Sequence, residues 1–267
     1  MGVVDVMDCV PHAVGELGDH AVARLLADSA GEALLALRAE SGGWTAGELK
    51  AAGDRRSQEC LAAGLARHRP GDAVLSEEAA DDHARLVAER VWIIDPLDGT
   101  REFSEVPRTD WAVHVALWER GALVAGAVAR PAMGSTLATD SPPAMPEAVP
   151  GPVRLAVSRT RPPAFVERLA SRIGARLVPM GSAGVKATAV LDGTVDAYVH
   201  AGGQYEWDSA APVAVARSAG LHTSRIDGTE LVYNRADPLL PDLLICRPEL
   251  APQLLAAIDV INKGEVQ

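Results

Sequence analysis

Hydrophobic positions divide the chain into two differently patterned stretches. Within residues 12–40, Val22, Leu25, Leu26, Ala33 and Leu37 recur at helical spacing and can share one buried side. A second helix is expected over residues 54–69, stopped by Pro70-Gly71. Short apolar runs follow at 73–76 and 91–94, then at 111–118 and 122–129, the last two joined across Glu119-Arg120-Gly121 as a hairpin. The first stretch therefore reads as α+β, two helices covering a largely antiparallel sheet. Five prolines within residues 140–152 exclude both helix and central strand there. We place a boundary at that point, giving an N-terminal part, 1–150, and a C-terminal part, 151–267. The second part alternates: strand 154–158, helix 163–173, strand 176–180, helix 183–191, strand 195–200, helix 208–219, strand 242–246 and a closing helix 249–262. Such alternation predicts α/β layering.

Composition narrows the function classes. With 267 residues, 48% of them hydrophobic, the chain can bury a core without staples, but its ten aromatic residues argue against stacked platforms for single-stranded nucleic acid. A formal charge of −11 speaks against a nucleic-acid polymer or an anionic membrane as partner. Residues 1–150 hold 13 Lys and Arg against 24 Asp and Glu, whereas 151–267 balance at 12 and 12. The excess acid is either a solvated face or a gathering of carboxylates that needs cations. Cys9, Cys60 and Cys246 are odd in number and lack a C-x-x-C spacing, which predicts reduced thiols rather than a disulfide framework or zinc cage. Asp5 and Asp8 stand where a basic leader would begin, and no apolar run approaches the ~18 residues of a membrane span. A soluble cytoplasmic protein is expected.

The chemistry concentrates at residues 92–100, Trp-Ile-Ile-Asp-Pro-Leu-Asp-Gly-Thr, where an apolar strand ends in two carboxylates around a proline. Asp95, Asp98 and the Leu97 carbonyl can converge on a hard cation, and Gly99-Thr100 opens a helix start suited to an anion. Glu77 ends another short strand in Ser76-Glu77-Glu78. Asp54 is a good N-cap for the second helix as well as a candidate ligand. Asp208, in Glu206-Trp207-Asp208-Ser209-Ala210-Ala211-Pro212, stands at the mouth of an Ala/Val helix. Asp95 and Asp98 are three apart, so the D-x-D-G-T nucleophile of phosphoaspartyl enzymes is missing. Neither a P-loop nor a G-x-G-x-x-G turn occurs. The seven histidines are read as structural or surface residues.

Glu77 in S-E-E, the D-P-L-D-G-T run at 95–100 and W-D-S-A-A-P at 207–212 resemble, in order and spacing, the signatures of the inositol monophosphatase-like, lithium-sensitive, magnesium-dependent phosphatases. The resemblance implies an αβαβα sandwich, with Glu77, Asp95, the Leu97 carbonyl, Asp98 and Asp208 as ligands for two or three Mg2+ ions and Asp54 near a further, weaker one. Within that superfamily, Thr100-Arg101-Glu102-Phe103, residues 181–186 and Glu206-Trp207-Asp208 look like the CysQ-type 3′(2′),5′-bisphosphate nucleotidases. This implies hydrolysis of the 3′-phosphate of a small bisphosphate nucleotide by a metal-activated water. Glu77, Thr100 and Asp54 would serve catalysis; Gly99, Thr100, Arg101, Ser182, Lys186 and Glu206 would bind substrate, Lys186 holding the second phosphate. A homodimer and a role in sulfur assimilation are further implications of the resemblance. Inositol monophosphatase or fructose-1,6-bisphosphatase activity, and a non-catalytic metal-dependent sensor of phosphometabolites, are the competing expectations.

Overall fold

A computed structural model describes residues 9–10 and 17–264. Asp5, Asp8 and the stretch 12–16 of the first expected helix lie outside the described residues. The first helix, α1, spans Asp19–Glu40, and α2 spans Ala46–His68. The latter starts eight residues earlier than expected because Thr45 and Glu48 form a reciprocal capping box, so Asp54 lies in the helix interior and is not its N-cap.

Strands β1 (Ala73–Ser76), β2 (Arg90–Asp98), β3 (Ala112–Glu119), β4 (Ala122–Arg130) and β5 (Ser135–Ala138) form one sheet in sequential order, with β1 parallel to β2 and the remaining pairs antiparallel. A short helix, α3 (Thr100–Ser104), follows β2. The second sheet has the order β7-β6-β8-β10-β9, built from β6 (Arg154–Ser158), β7 (Arg176–Met180), β8 (Ala197–Tyr205), β9 (His222–Ser224) and β10 (Leu239–Cys246). Helices α4 (Ala164–Ile173), α5 (Ala183–Leu191), α6 (Glu206–Ser218) and α7 (Ala251–Gly264) complete the chain.

Strand periodicity decides which layer each side chain enters. On β2, Trp92 and Ile94 join a core with α1 and α2, while Val91 and Ile93 join the core around α5 and α6. A third core packs the far face of the second sheet against α4 and α7. The order of layers is thus α1/α2, first sheet, α5/α6, second sheet, α4/α7, the αβαβα sandwich expected from the resemblance. The middle core draws on both sides of the proline-rich stretch, from Leu75 and Val128 to Val190 and Leu243.

Cys9 and Cys60 form a disulfide, with Cα atoms 5.7 Å apart, and Cys246 is a free buried thiol. This corrects the expectation of three reduced thiols. The pairing depends on the path that carries Val10 into the α1/α2 core, which a separation of 51 residues does not announce. No described helix is long and apolar enough to cross a membrane.

Candidate active site

The site forms where β2 ends. In a regular strand, residues three apart point to opposite faces, which would separate Asp95 from Asp98. Here Asp95 pairs with His114 and Asp98 with Ala112, so β2 carries one extra residue against β3. That bulge turns both carboxylates toward the α5/α6 layer. Local hydrogen bonds hold the turn: Leu97 N–H donates to Asp95 Oδ1 (3.0 Å), the Thr100 hydroxyl donates to Leu97 O (3.1 Å), and the Ser57 hydroxyl of α2 donates to Pro96 O (2.5 Å). Gly99, at φ +86°, makes the turn into α3 in a conformation that a side chain would strain.

Asp208 approaches from α6, whose N-terminus it also satisfies by accepting Tyr205 N–H at 2.6 Å. Carboxylate oxygens of Asp95, Asp98 and Asp208 lie within 4.8 Å of one another. Glu77 hydrogen-bonds to Asp95 from the exposed rim, and Asp54 meets the Thr100 hydroxyl. Burial and the neighbouring carboxylates raise these groups. Asp95 is driven well above the usual carboxylate range, and Glu77 is pushed up to about 7. Asp208 reaches about 6 through burial and the charge of Asp98; Asp54 also reaches about 6, through burial and the charge of Glu78.

Asp98 behaves oppositely. Burial would raise its carboxyl, yet the adjoining His114 ring, the Lys186 charge and the Ser182 hydroxyl outweigh it and hold it at about 2. Its oxygens accept the Ser182 hydroxyl (2.5 Å) and the N–H groups of Ala183 (3.0 Å) and Gly184 (2.5 Å). One ionised carboxylate thereby fastens β2 to the N-terminus of α5. Several oxygen donors crowded this closely, most of them raised by burial and then by one another's charge, are the donor set that hard divalent cations prefer.

Asp98 and Asp208 also border a cavity of about 300 Å³, which Gly99, Arg101, Ser182 and Lys186 line. Carboxylates at a strand end beside such a cavity suit cation-dependent chemistry on a phosphate ester. A family model described as "Inositol monophosphatase family" matches residues 16–262. The chain belongs to the inositol monophosphatase family. Similar curated proteins include the 3′-phosphoadenosine 5′-phosphate phosphatase of Mycobacterium bovis, 56% identical over 240 residues, with 86% of this chain and 89% of that protein covered. Its Mycobacterium leprae counterpart is 52% identical over 255 residues, covering 91% and 94%. Among solved structures, CysQ from Bacteroides thetaiotaomicron superposes with a TM-score of 0.72 at 24% identity, covering 86% of this chain and 97% of that one. The family is metal-dependent, and the donor set at the end of β2 fits that chemistry.

Glu206 departs from its expected place in the substrate site. Its carboxylate is buried and accepts the N–H groups of Asn234 (2.6 Å) and Arg235 (2.9 Å), which uses it to hold a loop rather than to face the cavity. Lys186 lines the cavity but is buried, and its Nζ donates to Gly181 O and, at 2.7 Å, to Ser182 O. His114 is the residue that sequence reasoning passed over. Fully buried, it stands with Nδ1 3.1 Å from Trp207 O and Nε2 3.2 Å from Asp98 Oδ2, an ion-pair contact rather than a well-aligned hydrogen bond. Its position opposite Asp95 follows from the β2/β3 register, which the sequence alone does not state.

Proposed function

We propose that this member of the inositol monophosphatase family is a Mg2+-dependent phosphatase acting on 3′-phosphoadenosine 5′-phosphate. Water attacks the 3′-phosphorus, the bond to the ribose 3′-oxygen breaks, and AMP and phosphate leave. The 5′-phosphosulfate analogue is a further substrate in this reading. One observation carries it: clustered carboxylates share a cavity with cationic side chains, in a chain 56% identical to a protein named for that activity.

Glu77, Asp95, Asp98, Asp208 and the Leu97 carbonyl would hold two or three cations. Once bound, these would polarise the phosphoryl oxygens and lower the pKa of an attacking water. The chain's own part is positioning and proton transfer. Asp54, next to Thr100, and Glu77, next to Asp95, stand at the rim as the two carboxylates placed to act as a general base. Either can accept the proton of a water aligned opposite the leaving oxygen. A homodimer and a role in sulfur assimilation belong to the same reading and rest on the family resemblance.

The test is phosphate release with Mg2+, with and without Li+, from 3′-phosphoadenosine 5′-phosphate, inositol 1-phosphate and fructose 1,6-bisphosphate under one set of conditions. The bisphosphate nucleotide is expected to give the highest kcat/KM, with inhibition by Li+. A higher value on either sugar phosphate overturns the substrate assignment, and binding without hydrolysis marks a sensor instead. Asp95→Asn is expected to abolish turnover at any practical Mg2+ concentration while the protein stays folded.

A further inference from the structure

We infer that Arg101 and Arg161 form a two-pronged clamp for the phosphate that is not hydrolysed, and that Lys186 is a structural cation. The inference rests on the bisphosphate reading above and locates its second anion. Three cationic residues line the cavity beside Asp98 and Asp208: Arg101 at the start of α3, Arg161 in the loop after β6, and Lys186 in the first turn of α5.

Lys186 is already committed. The residue is 7% exposed, and its ammonium donates to the carbonyls of Gly181 and Ser182 and lies 5.4 Å from the centre of the Tyr198 ring. Those bonds close the turn that presents Ser182 and the α5 N–H groups to Asp98. Turning the ammonium toward a ligand would break both charge-assisted hydrogen bonds and leave the buried Gly181 carbonyl unpaired, while Ser182 O would keep only the Lys186 backbone N–H (3.2 Å).

The two arginines are in the opposite condition. Both are exposed, and neither guanidinium has a hydrogen-bond or ion-pair partner among the described residues. Arg24, Arg85, Arg90, Arg154 and Arg225, by contrast, each hold a carboxylate. A single free surface arginine would carry no message. Here two converge on one cavity, and a third ties their supports together: Arg159 donates through Nε to Glu102 (2.6 Å) and through Nη2 to Glu105 (2.6 Å). That pair of bonds fastens the β6 loop to α3, so Arg161 and Arg101 stand on supports fixed to each other. Arg161 is steadied further, since its N–H donates to the Ser158 hydroxyl (3.3 Å) and Pro162 restricts its backbone to extended conformations.

Planar guanidinium forks match phosphate oxygens two at a time, which a lysine cannot do. A nucleotide with its 3′-phosphate at the carboxylate cluster can direct its other phosphate along the same cavity to this pair. Substrates with one phosphate leave the pair unused.

The probe is a comparison of 3′-phosphoadenosine 5′-phosphate with 3′-AMP, which differ by the 5′-phosphate alone. The ratio of their kcat/KM values isolates that group. Wild-type enzyme is expected to favour the bisphosphate, and Arg101→Met or Arg161→Met to reduce the ratio about 10- to 100-fold, mainly through KM for the bisphosphate. Arg161→Lys should recover only part of the loss. Lys186→Met is expected to lower the thermal midpoint, or to prevent folding, with no selective loss on the bisphosphate. An unchanged ratio in both arginine variants, a ratio near one in the wild type, or a selective loss in Lys186→Met overturns the clamp alone. Wild-type enzyme that releases phosphate from neither nucleotide overturns the substrate reading and the clamp with it.

Discussion

His114 shows how a side chain that does not line the cavity can govern it from directly behind Asp98. Its ring lies between Asp98 and the Trp207 carbonyl, linking β2 to α6, the two elements that bring Asp98 and Asp208 together. With the ring removed, Asp98 keeps its bonds to Ser182, Ala183 and Gly184 but loses a neighbour that favours its ionised form. His114→Ala is therefore expected to raise the Mg2+ concentration for half-maximal activity about tenfold or more, with a smaller effect on kcat at saturating Mg2+. The Mg2+-induced shift in thermal midpoint should need correspondingly more metal; an unaltered Mg2+ dependence in both measurements would refute the assignment. Asp54 should separate the other way. Asp54→Asn removes the proton acceptor beside Thr100 and is expected to lower kcat by about 10²- to 10⁴-fold, while Asp95, Asp98 and Asp208 still give a Mg2+-dependent thermal shift.

At the scale of elements, the same ring sets how closely α5 can approach β3. A Cβ built on Gly184 would lie 2.0 Å from His114 Nε2, and that ring is fully buried. Gly184→Ala is expected to destabilise the fold by about 1–3 kcal/mol, measured by denaturant unfolding. Combined with His114→Ala, its cost should be largely absorbed, because the new methyl enters the space the ring vacates. Purely additive effects would mean that the two do not press on each other. Short elements with firm boundary residues were legible from sequence: β1, β6, β7 and α5 begin and end where the pattern places them. Strands β5 and β9 were not, since Ser135–Ala138 and His222–Ser224 are short, partly polar edge strands whose pairing comes from partners elsewhere in the chain. The start of α2 was hidden by an exposed segment in which only the Thr45–Glu48 capping box marks the helix. In the site, the Asp-Pro-Leu-Asp motif could be read directly. The bulge that aligns its carboxylates, the diversion of Glu206 to residues 234–235 and the burial of Lys186 follow from tertiary register and packing.

For the whole molecule, the raised carboxyls couple stability to pH and to cations. Asp54, Glu77 and Asp208 titrate at about 6, about 7 and about 6 in the folded protein against ordinary values of 3.8, 4.5 and 3.8, and Asp95 is raised further. Across the window from about pH 4 to about pH 7, the folded state therefore binds more protons than the unfolded chain, so the contribution of these groups to stability falls as pH rises. Asp98, held at about 2, acts in the reverse sense, but only below its ordinary value of 3.8, where acid removes its stabilising effect. A divalent cation binds the deprotonated carboxylates and competes with those protons, so its stabilisation should grow over the window in which the cation-free protein weakens. Thermal unfolding in chelator and in excess Mg2+ is expected to show a larger Mg2+-induced gain in midpoint at pH 8 than at pH 5. Asp95→Asn removes one of the raised, titrating carboxyls and should flatten the decline of the cation-free protein between those two pH values. Equal gains at both would show that the cluster is already ionised and compensated without metal. In that case the acidic surplus of residues 1–150 would be a solvated face, and the cation site would have to be sought elsewhere in the fold.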